Sequence, residues 1–392
     1  MKQVEAHKHT ILVVIIVAIL IGLGLYVWAP ETLSRTYTYD EAVERIEELE
    51  LTADTEVVLE DQEEVSAPNE PDPPETSTIG YASGYLPTPE AVKTIYMSQC
   101  VAGTPSFRAD LIQLVEETEL NSIIIDIKDY SGGLGYPFEH PDLAPYVSNE
   151  CGAWDMPELL AQMHAKGIYT IARITVFQDP NFARTHPELA VQSLSTGGPW
   201  KDHKGLNFID VSARPFWDYI VTLSKETHKL GFDELNFDYV RFPSDGPMAD
   251  ASFTHSQGMS KAEALEHFFV YLHDELQNPE AYPEGIEPPV LSADLFGFTT
   301  SNSDDLSIGQ VLERALPYFD YIAPMVYPSH YPAGSFGYGN PNNYPYEIIY
   351  RAMTDGVART VAETTVVNGF KHEPIMETVV VTPASSTTPA VV

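Results

Sequence analysis

Polar side chains alternate with apolar ones in the segment from Gly231 to Pro243, which reads GFDELNFDYVRFP. Asn236, Asp238 and Arg241 interrupt an otherwise apolar run, and a proline ends it. A buried strand rarely carries a carboxylate, an amide and a guanidinium, because each group must be desolvated and paired. Such groups at the carboxyl end of a strand in a βα repeat are typical of a barrel active site. An Asp–Arg pair that only holds the barrel end together would give the same pattern.

Polar residues also end the neighbouring predicted strands. They are Asp126, Lys128 and Asp129 at the second strand, Arg173 in the third, Asp294 in the fifth, and Tyr327 and His330 after the sixth. Side chains alternate between the two faces of a strand, so Asn236 and Asp238 should both point into a barrel. By the same rule, Asp126 and Lys128 should share one face. Because parallel strands bring their carboxyl ends to one rim, we expect these side chains to converge there.

The carboxylates in this set could perform acid–base chemistry. Hydrolysis of a glycosidic bond requires two carboxyl groups, one that protonates the leaving oxygen and one that attacks or activates water. We expect Asp238 to be the nucleophile or base and Asp294 to be the acid, with Asp126 as the alternative acid. Lys128 and Arg173 could keep one carboxylate ionised while a drier one stays protonated. Two structural roles remain open: Asp126 could serve only in an ion pair, and Asp294 could cap a turn.

Aromatic residues follow the predicted strand ends and could complete a sugar site. Their rings could stack on the apolar faces of pyranoses while nearby polar groups meet the hydroxyls. These aromatic residues are Tyr130, Trp154, Phe177, Trp200, Tyr239, Phe296, Tyr327 and Tyr331. The predicted substrate-binding residues are Lys128, Asp129, Arg173, Trp200, Asn236, Tyr239, Arg241, Tyr327 and His330.

Strand and helix patterns alternate between residues 87 and 362. Predicted strands cover residues 94–97, 122–127, 168–176, 234–241, 290–295 and 321–326, and predicted helices cover residues 107–117, 156–166, 215–230, 261–276, 308–316 and 346–362. This order predicts an α/β fold of the (β/α)8 TIM-barrel type. An open doubly wound sheet is the alternative, but no glycine-rich phosphate loop follows any strand. Six strands leave two open sheet edges, so we expect a barrel that is incomplete at its C-terminal end.

The N-terminal residues predict a membrane anchor. Residues 11–28 carry no charge and are long enough to cross a bilayer. Lys2 and Lys8 precede this stretch and acidic residues follow it, so residues 1–10 should be cytoplasmic and the remainder extracytoplasmic. A cleavable signal peptide is the alternative, although Pro30 after Ala29 makes a poor cleavage junction. We expect a single-pass protein of the cell membrane.

Composition divides the rest of the chain and limits its partners. Residues 29–86 read as an acidic, proline-rich linker, residues 87–362 as the barrel, and residues 363–392 as a low-complexity tail. The net charge of −36 argues against nucleic acid, whose phosphates would repel the protein. Cys100 and Cys151 are the only cysteines, and outside the membrane a disulfide between them is favoured over two free thiols.

Four segments resemble a bacterial family of TIM-barrel domains described as glycoside hydrolases and formerly labelled as of unknown function. They read IDIKD at residues 125–129, ARITVFQD at 172–179, NFDYVRFP at 236–243 and APMVYPSHY at 323–331. The resemblance covers residues 87–350, and the FDYVRFP segment is its most specific part. It implies a TIM barrel with a glycosidase-like site and a carbohydrate partner, but no assigned substrate. Family members continue into further C-terminal strands, often with a tryptophan-rich last one, where this sequence departs.

Other classes of protein are less well supported by the sequence. Chitinase-type barrels are similar more distantly, but their catalytic glutamate position is Val240 here. A metal-dependent deacetylase would need an acid and two histidines at short spacing, whereas His164, His186 and His203 lie in separate segments. We therefore expect no metal and no other cofactor. A barrel that binds carbohydrate at the cell surface without cleaving it is the remaining alternative.

Overall fold

The computed structural model describes residues 81–82, 84–363, 366–367 and 370–371. The predicted cytoplasmic tip, membrane anchor and nearly all of the acidic linker lie outside these residues, as does most of the predicted tail. Within the described residues, no helix has the length and apolar character needed to span a membrane. The family-like barrel predicted for residues 87–362 is described throughout.

Six parallel strands form a curled half-barrel in the order β1-β2-β3-β5-β7-β8. The strands are β1 Thr94–Met97, β2 Ser122–Lys128, β3 Tyr169–Thr175, β4 Gln192–Ser193, β5 Glu234–Asp238, β6 Ala251–Ser252, β7 Val290–Phe296, β8 Tyr321–Met325, β9 Val366–Val367 and β10 Phe370–Lys371. β4 pairs with β6 and β9 with β10, both antiparallel. In the described part of the chain, β1 and β8 each have one neighbour, so the TIM-barrel-like sheet is incomplete.

Helices follow the sheet strands and cover the outside of the half-barrel. They are α1 Gln99–Ala102, α2 Pro105–Glu117, α3 Met156–Ala165, α4 Pro180–Thr185, α5 Arg214–Leu230, α6 Lys261–Leu276, α7 Leu312–Ala315 and α8 Pro345–Ala362. Local sequence sets their ends: Ser260 and Glu263 form a reciprocal capping box at the start of α6. Gly231 ends α5 at a φ of 120°, a conformation that favours glycine.

Two predicted elements differ from the structure. The strand predicted over residues 234–241 ends at Asp238, because Tyr239 has a φ of 52° and turns the chain out of the extended conformation. The helix predicted over residues 308–316 is only the short α7, followed by a 3₁₀ turn at Leu316–Tyr318. Gly309, with a φ of 89°, and the extended Val311 keep the first residues of the predicted span out of the helix.

The two faces of the sheet have different chemistry. On β2, Ile123, Ile125 and Ile127 are completely buried towards the helices. The alternate residue Asp126 faces the inside of the half-barrel, where β3 and β5 also present polar side chains. The large apolar core therefore lies between sheet and helices, and the concave face carries the candidate site.

Candidate active site

A single guanidinium gathers three carboxylates on the concave face. Arg173 on β3 donates from Nη1 to Asp126 Oδ1 at 2.7 Å and from Nε to Asp238 Oδ2 at 3.1 Å. Its Nη2 also donates to Asp238, and its Nε lies 4.0 Å from Asp294 Oδ2. Burial lowers the pKa of Arg173, but the charges of Asp238 and Asp126 outweigh that effect and raise it overall. The predicted convergence of these four residues is what the structure contains.

Asp238 occupies the last position of β5, directly before the left-handed Tyr239. The turn brings the Tyr239 N–H onto Asp238 Oδ1 at 2.6 Å, while Oδ2 accepts from Arg173. Both oxygens are thus held by donors, one of them the guanidinium of Arg173. The side chain remains 9% exposed, which leaves it open to a small reactant.

Asp294 on β7 has no such close cation. Its Oδ1 accepts from Asn236 Nδ2 at 3.1 Å, and its side chain is 17% exposed. Burial, followed by the nearby charge of Asp238, raises the pKa of Asp294 to about 7, although Asn236 and Arg173 act in the opposite direction. This carboxyl therefore holds a proton far more readily than an ordinary aspartate. It is not a turn cap.

Asp126 is held between a cation and a tyrosine. Its Oδ1 accepts from Arg173, so the ion pair considered in the sequence analysis exists, and its Oδ2 accepts from the Tyr96 hydroxyl of β1. Burial raises the pKa of Asp126 even though Arg173 and Tyr96 act to lower it. Sequence reasoning missed Tyr96. Strand alternation could have identified it, because Tyr96 lies on the inward face of β1, and β1 pairs with β2 in parallel.

A second buried polar layer lies beneath Asn236. Asn236 Nδ2 also donates to Ser292 Oγ at 3.0 Å, and Ser292 donates to Glu234 Oε1 at 2.6 Å. Tyr169 donates to Glu234 Oε2 at 3.1 Å. Burial raises the pKa of Glu234. Glu234 was missed as well, although it shares the alternation of Asn236 and Asp238. Asn236, only 3% exposed, acts here as a support for Asp294.

Lys128 does not join the site, contrary to the prediction. The β2–β3 register shifts between Asp126 and Lys128, which breaks the alternation that would place both on one face. The Lys128 ammonium lies 2.9 Å from Asp179 Oδ2 and donates to the Thr175 carbonyl at 2.5 Å. Both charged side chains are completely buried. Lys128 therefore cannot touch a substrate or set the charge of Asp126.

Trp200 is also misplaced by the prediction. It is 1% exposed, and its indole N–H donates to the Pro247 carbonyl at 3.2 Å. The long segment after β3 folds on itself through the β4–β6 pair, and this local packing encloses the ring. Trp200 consequently offers no surface on which a sugar could stack.

Three other predicted substrate-binding residues, Asp129, Tyr239 and Arg241, follow the ends of β2 and β5, and each contacts neighbouring protein groups. Asp129 Oδ1 accepts from the Ser131 N–H at 2.9 Å, which is the geometry of a turn. Arg241 is 7% exposed, donates to the Phe242 carbonyl at 3.1 Å and lies 3.9 Å from Asp245 Oδ2, whereas Asp238 pairs with Arg173. Tyr239, half-buried, packs 5.3 Å from the Arg241 guanidinium.

Tyr327 and His330 lie after β8. Tyr327 is 56% exposed, and its ring centroid is 5.1 Å from that of His330. Burial lowers the pKa of the His330 imidazole. Elsewhere, Cys100 and Cys151 form a disulfide, the pairing expected from the sequence. Among the described residues, no group of three or more His, Cys, Asp or Glu side chains is arranged to hold a metal ion.

A family profile described as "Putative glycosyl hydrolase domain" matches residues 94–374. The chain belongs to this family. The match covers every strand of the half-barrel and all of the carboxylates around Arg173. No protein of curated function matches the chain.

Several solved structures resemble the chain. A hypothetical protein from Ruminiclostridium thermocellum is 29% identical with a TM-score of 0.44, over 55% of this chain and 98% of its own. An alpha-galactosidase from Thermus thermophilus is 12% identical with a TM-score of 0.38, over 60% and 44%. A chitobiase from Flavobacterium johnsoniae is 13% identical with a TM-score of 0.41, over 62% and 40%. This chain thus spans less than half of the last two proteins.

Proposed function

We propose that this protein is a glycoside hydrolase that cleaves a poly- or oligosaccharide with Asp294 as the acid and Asp238 as the nucleophile or base. The proposal rests on a difference between the hydrogen-bond donors that surround these two carboxyls. Asp238 receives two donor nitrogens of Arg173, whereas Asp294 receives a neutral amide and carries a pKa of about 7. A carboxyl whose pKa is raised by burial, beside a second carboxyl that is held by a cation, is the pattern of a glycosidase acid and its partner.

The distances around Arg173 suit this chemistry. Its Nε is 3.1 Å from Asp238 Oδ2 and 4.0 Å from Asp294 Oδ2, so these oxygens are at most about 7 Å apart, an upper limit that accommodates the spacing of about 5–5.5 Å in retaining glycosidases. In the proposed reaction, Asp294 gives its proton to the glycosidic oxygen as the bond from that oxygen to the anomeric carbon breaks. Asp238 either attacks this carbon or removes a proton from the water that does.

Substitution of each carboxyl tests the proposal. Asp238→Asn in the full chain should lower the turnover of a cleaved glycan by about a thousandfold or more, because the charge that meets the developing oxocarbenium ion is lost. Turnover is measured as reducing ends released from a panel of polysaccharides, and circular dichroism checks the fold. Equal rates for the wild type and this variant would refute the assignment. Glycan binding without cleavage by the wild type would instead favour a carbohydrate-binding barrel.

We also propose that residues 11–28 anchor the protein in the cell membrane, with the half-barrel on the extracytoplasmic side. Support comes from the charge asymmetry around this stretch and from the Cys100–Cys151 disulfide, since disulfides persist in oxidising compartments. The protein should be recovered in the membrane fraction, and protease added to intact cells should digest its half-barrel. Protection from protease until the cells are lysed would contradict this topology.

A further inference from the structure

A cavity lies beyond the carboxyl ends of β5 and β7, and neither Asp238 nor Asp294 lines it. Its volume is about 420 Å³, within the range of small-molecule sites. Two aromatic rings and several short polar side chains form its wall. The residues that matter here are Ser244, Phe296, Phe298, Asn302, Asp304 and Ser307.

One lining residue, Phe296, shares a strand face with Asp294. Asp294 and Phe296 are two residues apart on β7, so their side chains point to the same side of the sheet. A strand rises about 3.3 Å per residue, which places Phe296 about 7 Å beyond the carboxyl along the strand, towards the rim. The Arg241 guanidinium packs 5.2 Å from the centre of the Phe296 ring and fixes its position.

One wall of the cavity contains two residues with strained backbone conformations, and hydrogen bonds from other segments fix this wall. Leu306 and Ser307 have φ values of 51° and 58°, and such non-glycine conformations cost about 1–3 kcal/mol each. Lys261 Nζ donates to the Ser307 carbonyl at 2.6 Å, and the Ile308 carbonyl accepts from the Phe242 N–H at 2.9 Å. Strain of this kind persists only where the surrounding structure fixes it, and it is frequent at ligand-binding walls.

We propose that this cavity is the subsite for the leaving-group sugar of a neutral oligosaccharide, an inference that rests on the proposed function. The lining residue Phe296 lies about 7 Å along the strand from the acid, and the acid protonates the oxygen that departs with the leaving-group sugar. Phe296 and Phe298 offer apolar faces for the CH groups of a pyranose, and the polar side chains offer partners for its hydroxyls. The lining contains the carboxylate of Asp304 and no basic side chain, which disfavours a uronic acid there.

Binding by a paired loop variant tests the inference. Asn302 and Asp304 are exposed, so Asn302→Ala with Asp304→Ala should fold normally, and thermal melting checks this. Each lost hydrogen bond contributes about 0.5–1.5 kcal/mol, so the dissociation constant should rise about tenfold. Calorimetry of the full chain with cellopentaose, maltopentaose and chitopentaose measures it. Ser303→Ala, in the same loop but outside the lining, is the matched control and should bind as the wild type does.

The possible outcomes separate this inference from the proposed function. Wild-type affinity in the paired variant would overturn the subsite even if Asp238→Asn abolishes hydrolysis. Loss of pentasaccharide binding in the paired variant, together with undiminished hydrolysis by Asp238→Asn, would support the sugar site and refute the catalytic assignment. Failure of the wild type to bind any of the three pentasaccharides would overturn the subsite. Tighter binding of a pentamer of galacturonic acid would overturn its neutral character.

Discussion

Two buried cation–carboxylate groups are built on neighbouring strands, one around Lys128 of β2 and one around Arg173 of β3. On the outer face, Lys128 meets one carboxylate, Asp179, and both side chains are completely sealed from solvent. On the concave face, Arg173 meets Asp126, Asp238 and, at longer distance, Asp294, and its side chain is 18% exposed. The outer pair is balanced in charge, whereas the inner cluster holds more carboxylates than one guanidinium can neutralise.

The difference separates an ion pair that is sealed from solvent from one that solvent reaches. A sealed pair with matched charges can stabilise one arrangement of the chain, but it cannot exchange a proton with a reactant. A proton on Asp294 lowers the negative charge of the inner cluster, and burial and the charge of Asp238 raise the pKa of this carboxyl to about 7. The proposed site on the concave face therefore rests on accessibility and charge imbalance together, rather than on burial alone.

Removal of the outer cation should have the largest effect on folding. Lys128→Met leaves the Asp179 carboxylate buried without a cation, which costs about 3–5 kcal/mol in the free energy of unfolding. Urea denaturation measures this loss. Lys128→Met with Asp179→Leu should recover part of it, but not all, because Asp179 Oδ1 also accepts from the Phe182 N–H at the start of α4. If Lys128→Met alone is as stable as the wild type, the Lys128–Asp179 pair has no structural role, and the contrast with the Arg173 cluster is wrong.

Asp294 should control the response of the protein to pH. As an acid with a pKa of about 7, it loses its proton as the pH rises, so turnover should fall above about pH 7. Asp294→Asn should lower turnover by about a hundredfold to ten-thousandfold and abolish this alkaline limb. Rates measured from pH 5 to 9 give the comparison. An unchanged limb in the variant would assign the ionisation to another group.

The same carboxyl should affect stability in a defined direction. Its pKa is higher in the folded than in the unfolded chain, so between about pH 4 and pH 7 the folded state binds more protons. The contribution of Asp294 is therefore most favourable below pH 4 and declines as the pH rises to 7. Subtracting the stability profile of Asp294→Asn from that of the wild type isolates this slope. A difference that increases with pH over this range would contradict the assigned environment.

The shape of the Arg173 side chain should matter as well as its charge. Arg173→Lys keeps one positive charge but cannot bridge Asp126 and Asp238 with a planar fork, so turnover should fall about tenfold to a hundredfold. Arg108→Lys is the matched control, because Arg108 also binds a carboxylate, Asp155, through two nitrogens but lies away from the site. Similar losses in both variants would indicate a general effect on folding.

Much of this site could be predicted from strand alternation. The places of Asp126, Arg173, Asp238 and Asp294 follow from a period of two residues and from parallel strands ending at one rim. The prediction for Lys128 was wrong because a register shift after Asp126 is a property of the β2–β3 pairing, which one strand's pattern does not reveal.

The remaining errors arise where packing between distant segments decides the outcome. Trp200 was expected at the surface of the site, but the segment after β3 closes over it through the β4–β6 pair. Tyr96 and Glu234 were missed because their roles depend on neighbours across the sheet, such as Asp126 and Ser292. The order of helices and strands could be predicted from the sequence. The hydrogen-bond partners of each polar side chain could not, because they depend on how neighbouring strands are aligned.

Removal of one hydroxyl from the inner cluster should have the smallest effect. Tyr96→Phe deletes the donor to Asp126, which costs about 1 kcal/mol in stability and raises the pKa of Asp126 further. Because Asp126 then holds Arg173 less firmly, turnover should fall a few-fold. Tyr321→Phe is the matched control, since Tyr321 is similarly exposed on the other edge strand. If both variants behave alike, Tyr96 is a surface ring, and the Arg173 cluster depends only on β2, β3, β5 and β7.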